Sequence, residues 1–309
     1  MGSTLVTGVG RLRPAIERHA RELLEELARL PQPVDLVERF ALALPVRVLC
    51  ELLGVPFEDR KVLERCAAVL LRRSASAAEV AAADKARSEY FARLVEAKDQ
   101  EPADDLLSEL VVRHVRTGRI TREQLVSLGS LLLVAGHATT ANQIALSVLA
   151  LLRHPEQLPV MLAGPEAASC AVDELLRHLT VVHFGLRRVA TADITIGETV
   201  IRAGDGVVLA IQSANRDPDI FPEPDRLDLT RRARAHVAFG YGAHRCPGQA
   251  LARAELEIAL PALFRRLPGL RLAIPFDQVL FAEDSFLHGV RELPIVWESA
   301  HGAAWERKG

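Results

Sequence analysis

The stretch Phe239-Gly240-Tyr241-Gly242-Ala243-His244-Arg245-Cys246-Pro247-Gly248 is the most informative part of the sequence, and an amphipathic segment follows it from Gln249. Cys246 therefore lies just before a predicted helix N-terminus, where free backbone amides and the helix dipole favour a thiolate. Arg245 adds a positive charge beside it. Gly240 and Gly242 allow a tight turn that can approach a flat ligand closely. Such a loop suits a thiolate that binds iron from one side.

Local chemistry alone leaves three interpretations of this loop open. Cys246 could be a haem ligand, it could be a nucleophile activated by His244, or the segment could be a glycine-rich turn with an incidental cysteine. A dinucleotide-binding fingerprint is not indicated, because Arg245 stands where that fingerprint requires its third glycine.

The composition of the chain is that of an ordinary globular protein. Its 309 residues carry a net charge of −2 and only 5% aromatic residues, which argues against nucleic-acid binding through bulk positive charge or base stacking. The four cysteines have neither metal-knuckle nor redox-pair spacing, so no zinc site or disulfide framework is predicted. No secretory signal is visible at the start, and a cytoplasmic location is therefore expected.

Most of the first 180 residues show helical periodicity, and short alternating segments appear only later. Asp35 is predicted to cap a helix that Pro45 divides and Gly54 ends, and Asp104 and Thr121 are predicted to cap two more. The expected fold is one mainly α domain with small β-sheets. Helices are predicted at 15–30, 35–53, 58–73, 77–97, 104–116, 124–152, 166–178 and 249–267, with two or three strands in 189–211, an irregular stretch at 217–245 and closing strands at 271–274 and 294–297.

The segment from Gln124 to Leu152 contains no charged residue. As a helix it would be long enough to cross a bilayer, so a membrane span is one interpretation. Polar residues, Gly136, His137 and Thr139 among them, lie at its middle, where a membrane span would be least tolerant of them. A buried central helix of a helical core is therefore the preferred interpretation.

The cysteine loop resembles the haem-binding signature of the cytochrome P450 superfamily. Six fixed positions of that signature are matched by Phe239, Gly240, Gly242, His244, Cys246 and Gly248. The resemblance implies that the cofactor is haem b, that Cys246 is the axial thiolate on its iron, and that His244 hydrogen-bonds a propionate. Phe239, Gly240 and Gly248 are then part of the cofactor-binding loop.

Three further segments match the same family. Arg188, or its neighbour Arg187, is implied to pair with a haem propionate. Glu174 and Arg177, which spacing alone would assign to a surface ion pair, resemble the family's buried Glu-x-x-Arg pair. Arg226 is implied to be the third member of that network. The segment Ala214-Asn215-Arg216-Asp217-Pro218 is also typical of bacterial members.

The polar centre of the long uncharged segment resembles the family's distal oxygen groove. By that resemblance the catalytic residues are Gly136, Ala138, Thr139 and Thr140, with Thr139 holding water or dioxygen during proton delivery. Without the resemblance, the same small residues would indicate a close-packing site. Family members usually carry an acid at the position of Ala138, so proton delivery here is expected to rely on water.

The resemblance extends from about Arg11 to Trp297. The family's N-terminal strands and the helix whose His and Arg grip the haem have no counterpart in it. The predicted architecture is therefore a cytochrome P450 fold lacking its N-terminal portion, with residues 1–309 as a single, N-terminally incomplete haem-thiolate domain.

The function implied by the resemblance is that of a soluble bacterial monooxygenase. It would insert one oxygen atom from dioxygen into a small organic substrate, in secondary metabolism or xenobiotic oxidation. Ferredoxin and ferredoxin reductase would supply electrons at a surface around Arg245 and Arg253, and neither nucleic acid nor membrane is expected as a partner. Substrate contacts are expected near Leu133, Val134, His137 and Ala138 and in 182–186. The competing hypothesis is a haem-poor or haem-free relative that binds a partner or catalyses a non-hydroxylating reaction.

Overall fold

The computed structural model describes residues 2–183 and 185–298, with side chains described from residue 12 onward. Ten α-helices and seven short strands are found in these ranges. The helices are α1 Gly2–Ala28, α2 Ala43–Leu53, α3 Arg60–Leu71, α4 Ala77–Gln100, α5 Leu106–Leu110, α6 Arg122–Arg153, α7 Leu158–Leu162, α8 Pro165–Leu179, α9 Ile211–Ala214 and α10 Gln249–Arg266. The strands are β1 Val34–Asp35, β2 Leu186–Val189, β3 Ile194–Ile196, β4 Thr199–Ile201, β5 Gly206–Leu209, β6 Arg271–Leu272 and β7 Pro294–Val296.

Side-chain caps fix where several helices begin. Ser76 and Glu79 form a reciprocal capping box at α4, and Thr121 forms one with Gln124 at α6, as its position predicts. Asp105, not Asp104, caps α5, so that prediction is wrong by one residue. Gly54 ends α2 in the left-handed conformation.

Two differences from the predicted elements have local causes. The first helix begins well before Pro14, which lies inside α1 and leaves one turn without its backbone donor. Asp35 is in strand β1 because its Oδ1 also accepts the N–H of Leu293, which draws this segment into a sheet. The same oxygen accepts the N–H of Val37, so Asp35 still caps the helical turn that follows.

The strands form three small antiparallel sheets, ordered β1-β7-β6, β2-β5 and β3-β4. Three strands, β3, β4 and β5, lie in the region 189–211 where two or three were predicted, and β2 overlaps it only at Val189. In the β2-β5 pair Arg188 stands opposite Val207. The first sheet joins the segment after α1 to the last described strand, since Val34 pairs with Ile295.

The helix α6 runs through the middle of the molecule and joins two groups of buried side chains. Its second half packs with α1, α8 and α10, and its first half packs with α2, α4 and α5. Its length and hydropathy would suffice to cross a membrane, yet every residue from Gln143 to Leu149 is buried against the rest of the protein. The interpretation as a central core helix is confirmed.

Candidate active site

The cysteine loop is held by its own backbone. The N–H of Cys246 donates to the carbonyl of Phe239 at 2.8 Å, and the N–H of Gly240 donates to the carbonyl of Val237 at 2.8 Å. Gly240 and Gly242 both have positive φ angles, 72° and 68°, which a side chain would disfavour. The loop therefore closes on itself immediately before α10, as the sequence predicts.

The thiol of Cys246 is partly buried and receives two backbone hydrogen bonds. The N–H groups of Gly248 and Gln249 lower its pKa, but burial raises it by more, and the net shift is upward. Burial thus opposes loss of the thiol proton, whereas the two backbone amides favour it. Arg245 is exposed and does not contribute to the shift. A bound metal ion would remove the proton outright.

Arg188, beside this loop, and His244, within it, have no acidic partner among the described residues. Arg188 on β2 donates to the carbonyl of Arg187 at 2.8 Å and has no carboxylate within ion-pairing distance. His244 is exposed, and its imidazole makes no hydrogen bond in the described part of the chain. The loop lies against β2, since a Cβ at Gly240 would be 3.9 Å from the Cδ1 atom of Leu186.

The centre of α6 carries the remaining predicted site residues. The hydroxyl of Thr139 donates to the carbonyl of Ala135 at 2.5 Å. Thr140 is buried, Ala138 is partly buried, and a Cβ at Gly136 would approach the side chain of Leu49 to 3.2 Å. The helix is continuous through these positions. The small residue at 136 therefore accommodates the packing of α2 against α6.

The predicted Glu-x-x-Arg pair is fully buried. Arg177 donates Nε and Nη2 to the two carboxylate oxygens of Glu174, at 2.7 and 2.8 Å, and both side chains are 0% exposed. The third partner is Arg231, whose Nε lies 3.2 Å from Glu174 Oε1. The prediction that Arg226 fills this role is wrong, because its exposed guanidinium pairs with Glu223 instead. Only its backbone carbonyl faces Arg177.

Sequence reasoning missed a second buried cluster next to this network. Asp173 precedes Glu174 on α8, yet it binds Arg253 of α10 and lies 3.3 Å from Nε2 of His236. All three side chains line a hollow of about 450 Å³ together with Phe239, Gly240 and Arg245. A signal existed in the sequence, because His236 stands three residues before the loop and Arg253 seven residues after Cys246.

The residues of this site fit a flat iron-bearing ring with acidic substituents. The partly buried thiol can supply one metal ligand after losing its proton. Arg188 and His244 have donors left over for two carboxylates, which an isolated nucleophile site would not need. Among the described residues no group of three His, Cys, Asp or Glu side chains could hold a metal ion.

Comparisons with known proteins point to one family. The family model described as Cytochrome P450 matches residues 168–270. Cytochrome P450-SU2 of Streptomyces griseolus is 48% identical over 95% of this chain and 72% of its own length. Pentalenic acid synthase of Streptomyces avermitilis is 49% identical over 93% and 71%. The structure of mycinamicin VIII C21 methyl hydroxylase from Micromonospora griseorubida, bound to mycinamicin VIII, superposes with a TM-score of 0.90 at 43% identity, covering 94% of this chain and 74% of that one.

Proposed function

The chain belongs to the cytochrome P450 family, and on that premise we propose that it inserts one atom of dioxygen into a small organic molecule of bacterial secondary metabolism. It is an oxidoreductase of the monooxygenase type, and haem b is the family's cofactor. The observation that carries the proposal is the Cys246 thiol, held by two backbone amides beside unpaired donors on Arg188 and His244. An incidental cysteine or a haem-free binding module would not require those donors.

Haem supplies the one-electron and dioxygen chemistry when it is bound. The protein's part is to hold and shield it. Cys246 would give up its proton and bind the iron, while Arg188 and His244 would take the two propionates. Phe239, Gly240 and Gly248 would keep the loop close to the ring. A Cβ at Gly248 would lie 3.9 Å from the sulfur, so a larger residue there would crowd the ligand.

Proton delivery is assigned to α6. Thr139 would hold a water molecule or dioxygen through its hydroxyl, which already donates to the Ala135 carbonyl. Ala138 provides no carboxylate, so protons would travel through water held by Thr139 and the neighbouring Thr140. Gly136 keeps the helix close to α2.

Electrons would enter from a ferredoxin, itself reduced by a ferredoxin reductase. The hollow beside the cysteine loop is lined by Arg13, Arg234, Arg245 and Arg253. Arg13 and Arg253 are engaged by Glu257 and Asp173, whereas Arg234 and Arg245 have no ion-pair partner in the described ranges. Those two guanidinium groups are the ones available to an acidic protein.

We also propose one cytoplasmic domain comprising residues 1–309. Leu251 of α10 packs against both groups of buried side chains, which favours one continuous core. The substrate would lie against α6, near Leu133, Val134, His137 and Ala138, and near 182–186. Within that range Phe184 lies outside the described residues. The relatives' names, pentalenic acid synthase and mycinamicin VIII C21 methyl hydroxylase, favour a natural product as the substrate.

The carbon-monoxide difference spectrum of the reduced, haem-reconstituted protein tests this function. The wild-type chain should give the band characteristic of thiolate-ligated haem. Cys246→Ala should abolish it while leaving the far-ultraviolet circular dichroism unchanged, because the thiol supplies the ligand and not the fold.

Cys170→Ala is the matched control. Cys170 is also partly buried and donates to the carbonyl of Arg231 at 3.2 Å, but it lies outside the loop. This variant should keep the full band. Absence of the band in the wild type, or its survival in Cys246→Ala, would refute the proposal.

A further inference from the structure

Asp173 is a buried carboxylate that the proposed reaction does not use. Its side chain is 3% exposed, and burial by itself would disfavour its charge. Hydrogen bonds from His236 and Arg253 reverse this and lower the pKa of Asp173 to about 2. The carboxylate is therefore charged at neutral pH and is committed to these two partners.

The hydrogen bonds of His236 have a defined direction. Its Nδ1 atom accepts the N–H of Ala238 at 3.1 Å, so this nitrogen carries no proton. The proton must then be on Nε2, which points at Asp173 Oδ1 at 3.3 Å. Asp173 thus selects the tautomer that can accept the backbone amide of Ala238.

That amide belongs to the segment that carries the loop. Val237 donates its N–H to Oδ1 of the buried Asn215 at 2.8 Å, and Ala238 donates to His236. The next residue, Phe239, offers the carbonyl that accepts the N–H of Cys246 at 2.8 Å. A continuous chain of contacts runs from the buried carboxylate on α8 to the backbone of the thiol residue.

Arg253 closes the same chain from the other side. It lies on α10, seven residues after Cys246, and its guanidinium contacts the same Oδ1 atom of Asp173. The approach to the thiol and the helix that follows it are therefore tied to one carboxylate. Glu174, the next residue, has an unrelated set of partners in Arg177 and Arg231.

We propose that Asp173 is a positioning residue for the Cys246 thiol, acting through His236 and Arg253 to fix the cysteine loop for iron ligation. This inference rests on the proposed role of Cys246 as the iron ligand. Without the carboxylate charge, His236 would no longer be held in one tautomer, and the backbone on both sides of the sulfur would be held less tightly. No group that touches the cofactor would be removed.

Asp173→Asn tests the proposal, with Asp105→Asn as the matched control. Asp105 is buried to the same degree, 4% exposed, and binds Lys98 at 2.6 Å, but it lies at α5 in the other group of buried side chains. Both variants remove one buried carboxylate charge: Asp173 from Arg253 and His236, and Asp105 from Lys98. Asp105 also caps α5, a role that asparagine can fill as well. The two variants should lose comparable stability, so a difference between them at the haem reports on position and not on stability.

Two readouts are expected to separate the variants. In the reconstituted protein, Asp173→Asn should raise the share of the blue-shifted, thiol-ligated carbon-monoxide band several-fold, and Asp105→Asn should not. In the haem-free protein, hydrogen exchange of the peptide containing Ala238 to Cys246 should quicken about tenfold in Asp173→Asn only, as expected for losing a hydrogen bond to a charged group.

Unchanged exchange and an unchanged band in Asp173→Asn would overturn the proposal, as would equal changes in both variants. If Asp173→Asn does not fold, His236→Phe replaces it, since this change keeps a ring and leaves the Asp173–Arg253 pair. His236→Phe should produce the same changes in the carbon-monoxide band and in hydrogen exchange, and wild-type behaviour in both would overturn the proposal. A wild type without the thiolate band would refute the function, while the exchange comparison would still decide whether Asp173 holds the loop.

Discussion

Buried acidic residues in this protein differ sharply in how they are satisfied. Glu174 is bound by two arginines and Asp173 by a histidine and an arginine. Glu255 of α10 is 1% exposed, and its Oε1 atom has no hydrogen-bond partner within the described residues. Burial raises the pKa of Glu255 to about 8. It is therefore a protonated, neutral acid in the folded protein at neutral pH.

The stability of the protein should consequently depend on pH through Glu255. The folded state keeps this proton up to about pH 8, whereas an unfolded glutamate releases it near its ordinary pKa of 4.5. The contribution of Glu255 to the free energy of unfolding should thus fall as pH rises between these values, by about 1.4 kcal/mol per unit. Glu255→Gln should remove that decline.

Urea denaturation of both proteins at several pH values between 5 and 9 checks this. The free energy of unfolding of Glu255→Gln should rise relative to that of the wild type as pH increases. At pH 9 the variant should be the more stable protein by a few kcal/mol. Parallel stability curves over this range would show that Glu255 does not hold its proton.

At the scale of elements, the buried side chain of Arg177 joins α8 to the irregular segment after α9. Arg177 donates to Glu174 and to the carbonyls of Asn215 at 2.9 Å and Pro224 at 2.8 Å. This buried fork of donors ties the irregular segment to α8, in addition to the backbone hydrogen bonds within the segment. The same segment then carries the chain to the cysteine loop.

Arg177→Met should therefore destabilise the protein by about 3–5 kcal/mol, because it leaves a buried carboxylate without its main partner. Arg226→Met, which removes an exposed arginine paired only with Glu223, should cost less than about 1 kcal/mol. Arg231→Met should resemble Arg177→Met more closely than Arg226→Met. Denaturant midpoints of the three variants measure this order, and a large loss in Arg226→Met would contradict the assignment of Arg231.

At the scale of the whole molecule, the last part of the chain returns to the central helix. Gly289 lies so close to Asn142 of α6 that a Cβ there would be 1.8 Å from the amide oxygen. Nearby, the ring of His288 stacks on that of His183, with centroids 4.0 Å apart. These contacts set the position of the closing segment against the site.

Gly289→Ala should cost about 1–3 kcal/mol, because the added methyl group must displace Asn142 or the backbone. Asn142→Ala alone removes one hydrogen bond to the Ala138 carbonyl and should cost less. The double variant should recover most of the loss, so the two changes should be strongly non-additive. Thermal unfolding of the wild type, the two single variants and the double variant measures this coupling. Simple additivity of the two losses would show that the two residues are not in contact.

Much of the local structure follows from the sequence because its causes are local. Thr121 caps α6, Gly54 ends α2, and the glycines of the cysteine loop permit its turns. These features depend on a few neighbouring dihedral angles and hydrogen bonds, and composition and spacing report them directly. The match of the loop and of Glu174-Leu175-Leu176-Arg177 to one family was likewise readable in the sequence alone.

Only the tertiary structure decided which distant groups meet. Nothing in the spacing distinguishes Arg226 from Arg231 as the partner of Glu174, because both lie in the same irregular segment. The raised pKa of Glu255 was also beyond sequence reasoning, since it arises from burial, which is a property of the packed molecule. The sequence by itself determined most of the helices, several of their ends and the cysteine loop that matches one family. The packing of α8 against α10 decided that Asp173, His236 and Arg253 meet beside the cysteine loop, because desolvation and long-range ion pairs arise only once the chain has folded.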